Sequence, residues 1–220
     1  MGIKILDKWE PDMLTGSLRD VNCGQWLSLD PGHGYTGVAA RDGVDVLDAA
    51  VIARTTEKVP TPAIDDYAAW MPYFQRVVDI AGGMTGRFDP KRPMRVVAEM
   101  MIRPKSIYRN GRRIYIPDHD WMPEIALIGA LCGAFSTVHL VYPQRVGGRH
   151  QQGNDGTGDV TKYYAEPLCG RKWPANFGPC EGRREHPRSA SDIAAIAELQ
   201  LSVKTLDDLR AILEPRLAAA

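Results

Sequence analysis

Residues 26–53 hold three apolar runs joined by turns so short that the chain can only double back on itself. Trp26-Leu-Ser-Leu-Asp30 reads as a buried strand, Pro31-Gly32-His33-Gly34 as a turn, and Thr36 to Ala40 as a second strand. Arg41-Asp42-Gly43 is a hairpin signal, and the run from Val44 to Ala53, with Val44, Val46, Val51 and Ile52, gives a third strand. Parallel neighbours would need a crossover of about a dozen residues or more, so the three predict an antiparallel meander.

The pattern then changes period. From about Pro62 to Ala81, Ile64, Tyr67, Trp70, Met71, Phe74, Val77 and Val78 recur at helical spacing, with Pro72 a point of kinking or interruption and Gly82-Gly83 the stop. Met94 to Met101 reads as a strand, Arg103 to Asp120 as a basic loop, Trp121 to Ser136 as a helix rich in small residues, and Val138 to Tyr142 as a fifth strand. A Gly-rich loop spans residues 146–185, and helices follow over Pro187 to Leu201 and Thr205 to Leu217. Hairpin strands joined to helix-connected strands predict an α/β fold whose mixed five-stranded sheet combines the antiparallel meander with parallel strands, flanked by helices. The organisation expected is an irregular N-terminal extension over residues 1–25, one domain over 26–201, and a C-terminal helix over 202–220. A chain of 220 residues builds one sizeable core rather than two.

Three acids break this apolar framework. Asp30 closes the first strand just where Pro31-Gly32 redirects the chain, so it is either a turn-former or a carboxylate held by a partner such as a metal ion. Glu99 interrupts the run Arg95-Val-Val-Ala-Glu99, in a central strand that would ordinarily be continuously apolar. A salt bridge in the core would also account for it. Asp192 opens the amphipathic helix of Ile193, Ile196 and Leu199, where a first-turn acid also suits the helix dipole. Taken together, one acid on the first strand, one on a central strand and one at the start of a late helix can converge at one sheet edge. Three carboxylates at a point suit Mg²⁺, which leaves positions open for water and phosphate oxygens.

Composition narrows the class further. No apolar run is long enough to cross a bilayer, and Met1 to Gln25 lacks a signal-type apolar core, so a cytoplasmic location without membrane contact is expected. Basic and acidic residues balance at 27 each. Their distribution is uneven: Arg103, Lys105, Arg109, Arg112 and Arg113 cluster with no acid among them, and Arg145 and Arg149 open a second basic stretch. Such loops suit a phosphate backbone. Cys169, Cys180 and His186 could enter a zinc knuckle only with a fourth ligand such as His150 or Cys23, and their spacing misses the usual short ligand pairs.

Leu29-Asp30-Pro31-Gly32-His33-Gly34-Tyr35-Thr36-Gly37 resembles the D-P-G-x-x-x-T-G opening of the RuvC Holliday junction resolvases, which have a ribonuclease H-like fold. Glu99 matches that family's strand acid, and Ser189-Ala-Ser-Asp192-Ile-Ala-Ala-Ile-Ala its closing helix. The resemblance implies an endonuclease acting on branched DNA, foremost the four-way junction, as a homodimer. It also implies two Mg²⁺ or Mn²⁺ ions held by Asp30, Glu99, Asp192 and the position of Ser189. Ser189 departs from the family's usual acid or histidine, and His186, one turn back, is the substitute, as a ligand or as a general acid or base. Ile102 stands where the family often has an aromatic wedge, with Tyr108 the next aromatic, positioned to stack on an unpaired base. Flaps, RNA–DNA hybrids and a DNA-binding role without catalysis are the alternatives. An actin-like ATPase, which shares the strand-turn-strand signature, needs a second such loop that this chain lacks.

Overall fold

The meander forms as its turns require. Strand β2 (Cys23–Asp30) pairs antiparallel with β3 (Tyr35–Gly43), which pairs antiparallel with β4 (Asp45–Ala53). Asp42 faces Asp45 across the second turn, and Gly43 adopts the left-handed φ of 62° that closes it. The computed structural model describes residues 2–5, 22–55, 60–63, 65–101, 107–109, 112–114, 121–141, 168 and 172–202. The helix expected over 205–217 and most of the loop over 146–185 lie outside them.

Parallel strands extend the sheet from the other side of β2. β5 (Met94–Glu99) pairs with β2, and β8 (Thr137–Val141) pairs with β5. A sixth strand, β1 (Gly2–Ile5), lies parallel to β8, giving the order β1-β8-β5-β2-β3-β4. This is the expected mixed sheet, an antiparallel meander continued by parallel strands, with one strand added at an edge. The lead-in is therefore not irregular throughout, and the sheet has six strands rather than five. Gly2-Ile-Lys-Ile5 is too short to show a period, and its partner is more than a hundred residues away. The basic loop after β5 also holds a small hairpin, β6 (Ile107–Arg109) with β7 (Arg112–Ile114), which forms its own two-stranded sheet.

Helices cover both faces. α1 (Tyr67–Met84) and α2 (Met122–Ala134) bury Trp70, Phe74, Val77, Leu127 and Leu131 against Leu27, Leu29, Val96 and Ala98. α1 starts five residues later than Pro62 because the Asp66 carboxylate caps it at the Ala69 N–H, 3.2 Å away. It also runs on through Pro72, whose missing hydrogen bond falls on the exposed side while Trp70, Tyr73 and Phe74 anchor the turn. On the opposite face α3 (Glu185–Ser202) packs Ile193, Ile196 and Leu199 against Trp26 and Val97. No helix among the described residues is long and apolar enough to cross a membrane.

Candidate functional site

Side chains alternate along a strand, so Trp26 and Val97 facing α3 put Asp30 and Glu99 on that same face. The register makes the two acids neighbours. Leu29 pairs with Ala98, so Asp30 and Glu99 are the next residues at the ends of the adjacent strands β2 and β5, and adjacent strands lie about 4.8 Å apart. Both are half-buried.

α3 lies across β2 and is fastened along its length. Near its far end Glu198 accepts from the Trp26 indole N–H at 2.6 Å and from the Gly24 N–H at 2.9 Å. In the middle the fully buried Arg41 donates to the Ser191 carbonyl at 3.0 Å. The first turn comes down on β3, where a Cβ on Gly37 would overlap the backbone carbonyl of His186. Glycine at that position lets the helix close over the strand end. His186 thereby reaches Asp30, with Nδ1 3.1 Å from Oδ2, and its ring stacks on Tyr35 at 5.9 Å. Burial alone would lower the His186 pKa, but the hydrogen bond to Asp30 and the charges of Asp30, Glu185 and Glu124 prevail and the net direction is upward.

The turn after Asp30 is braced from the other face. Tyr73 of α1 donates to the Gly32 carbonyl at 2.7 Å and lies 2.6 Å from the Thr36 hydroxyl. Burial pushes its phenol well above the ordinary range. Tyr73→Phe should cost about 1 kcal/mol, since it leaves the half-buried Gly32 carbonyl with only the longer contact to the Thr36 hydroxyl at 3.5 Å; urea denaturation measures the loss. From α2 comes Glu124, buried at 7% exposure. Its Oε1 accepts from the His33 N–H at 3.3 Å and lies 3.5 Å from His33 Nδ1. Burial raises its pKa, the His33 contacts oppose the rise, and the Asp30 charge adds to it.

Among the expected site residues, the structure joins Asp30 to His186 and aligns Glu99 beside them. Asp192 is buried six residues further along α3, about 9 Å of helix axis, with Ser189 half-buried between. Tyr108 pairs with Arg113 and Arg109 with Arg112 in the β6–β7 hairpin. Arg103, Lys105, Arg145 and Arg149 lie outside the described residues, as does Cys169. Cys180 is exposed and forms a bridge beside Val51 at the outer edge of β4. Glu124 and Tyr73 escaped the sequence reading. An acid just after Met122-Pro123 looks like an ordinary first-turn residue, and Tyr73 looks like one more member of an apolar stripe.

Among the described residues no three His, Cys, Asp or Glu side chains stand close enough to enclose an ion by themselves. Mg²⁺ does not need such a cage, because one or two carboxylates with water and phosphate satisfy it. Asp30 and Glu99 offer that pair on adjacent strand ends. Glu124 Oε2 is buried without a hydrogen-bond partner among the described residues. The donor set suits a hard, hydrated cation.

Fold and site together describe an α/β domain whose mixed sheet has an acidic strand edge closed by a histidine-bearing helix. No protein-family model and no curated protein sequence matches the chain. Among solved structures, RuvC of T. thermophilus in complex with a Holliday junction substrate is similar, with a TM-score of 0.41 and 17% identity over 77% of this chain and 90% of that one.

Proposed function

We propose that the chain is a divalent-metal-dependent endonuclease that hydrolyses phosphodiester bonds in branched DNA, the four-way junction foremost. The observation that carries this reading is the juxtaposition of Asp30 and Glu99 at neighbouring strand ends, with His186 hydrogen-bonded to Asp30. The Asp30-Pro-Gly opening supports the choice of junction. Asp30, Glu99, Asp192 and Ser189 are the residues that would hold two Mg²⁺ or Mn²⁺ ions. Bound metal supplies an activated water and offsets charge on the leaving oxygen. Asp30 holds the His186 ring through Nδ1, which turns Nε2 outward to keep a proton for the leaving oxygen. Arg103, Lys105, Arg109, Arg112, Arg113, Arg145 and Arg149 contact phosphates, and Tyr108 stacks on an unpaired base. A homodimer, with the exposed Met122 and Ile125 of α2 at its interface, presents two such sites to opposed strands.

Four-way, flap and RNA–DNA hybrid substrates incubated side by side with Mg²⁺ or Mn²⁺ test the proposal. The junction should be cut fastest, by paired nicks in opposed strands. Preferential cutting of a flap or hybrid would move the substrate while keeping the chemistry. Ser189, which stands where the resembled family carries an acid or a histidine, favours a second reading, junction binding without cleavage. A tight gel shift with no cleavage under either metal would establish it and overturn the first.

A further inference from the structure

Glu124 is set apart from the strand acids by where it comes from and how it is held. It reaches the turn after Asp30 from α2, on the face of the sheet opposite α3. A glutamate in the first turn of a helix favours the helix dipole while remaining in water, so nothing about α2 itself requires this one to be buried. Yet it is 7% exposed, and its described contacts are both to His33 through Oε1. Oε2 is left buried with no hydrogen-bond partner among the described residues. A buried carboxylate oxygen in that state is strongly penalised unless a cation or donor meets it. Asp30, three residues before His33, adds a second negative charge close enough to act on Glu124.

We propose that Glu124 is a ligand of a divalent cation shared with Asp30, its Oε2 reaching the ion from the α2 side of the sheet edge. The inference rests on the nuclease reading above and extends it, because it adds a carboxylate from the helix layer that the strand-and-α3 set of acids leaves out. His33 has a defined part in it. By taking Oε1 through its N–H, the turn fixes the carboxylate plane and leaves Oε2 as the coordinating atom. Two carboxylates with water suffice for Mg²⁺ or Mn²⁺, and a cation between Asp30 and Glu124 relieves the burial of both charges.

Mn²⁺ binding to the full chain, followed by calorimetry and by the Mn²⁺-induced rise in Tm, tests this without any cleavage assay. Wild type should bind Mn²⁺, and Glu124→Gln and Asp30→Asn should each weaken binding at least about tenfold and lose the Tm rise. In chelator, Glu124→Gln should melt no lower than wild type, since it removes a buried charge and retains an acceptor for His33. Should that variant fail to fold, Glu124→Asp keeps the charge but withdraws it by one methylene, and the same tenfold loss is expected. Wild-type affinity in either folded Glu124 variant overturns the role of Glu124 and leaves the nuclease reading standing, whereas wild-type affinity in Asp30→Asn overturns both. Failure of the wild-type chain to bind Mn²⁺ overturns both.

Discussion

Asp30→Asn should leave junction cleavage reduced on the order of 10³-fold, about 4 kcal/mol of transition-state stabilisation, while junction binding persists. The substitution is nearly isosteric, so the strand end and the Pro31-Gly32 turn should keep their shape. What disappears is the charge at the meeting point of β2, β5 and α3. In the proposed complex the phosphate contacts come from basic residues elsewhere, and loss of a negative charge should not weaken them. The test pairs single-turnover cleavage with a gel shift on the same junction. Undiminished cleavage would remove Asp30 from the chemistry. A second readout follows from His186. Its folded pKa is raised, so the stability it contributes is complete below the ordinary histidine value of 6.5 and fades as pH rises through the folded value. In metal-free buffer Asp30→Asn should lower the His186 pKa, visible by NMR titration, and flatten that fading.

Gly37→Ala should be the most damaging single-methyl change in the described chain. The added Cβ would overlap the His186 carbonyl and crowd the Pro187 nitrogen, both backbone atoms that cannot rotate aside. Overpacking of this kind costs about 1–3 kcal/mol and sometimes more, a large share of the roughly 5–15 kcal/mol that hold a domain together. Relief can come only by lifting the first turn of α3 from β3, which draws His186 away from Asp30. Chemical denaturation should show the loss, and cleavage should fall further than the lost stability explains. Wild-type stability in this variant would mean that α3 does not close over β3 as described.

The contrast between Asp30 and Glu124 shows what a sequence can and cannot reveal. Asp30 and Glu99 are legible because each is an acid set against an apolar run, at what the structure shows to be strand ends, and the meander because two tight turns leave one topology. Glu124 carries no such contrast: an acid at the start of a helix is unremarkable until tertiary packing turns it inward. β1 is hidden for a related reason, since four residues hold no period and their partner is remote. His186 stood as an alternative to Ser189; only the close approach at Gly37 puts it against Asp30. The identity of the strands was local information, whereas the membership of the site was not.

The three fastenings of α3 also bear on when the candidate site can assemble. His186 meets Asp30 across 156 residues of sequence, Arg41 meets Ser191 across 150, and Trp26 meets Glu198 across 172. Contacts of such long range are slow to form because the loop must be closed before they give anything back. During synthesis the sheet and the α1–α2 layer can assemble while the strand-end acids still lack their histidine. His186 therefore joins Asp30 only after α3 has been made and has docked, late in the emergence of the chain from the ribosome.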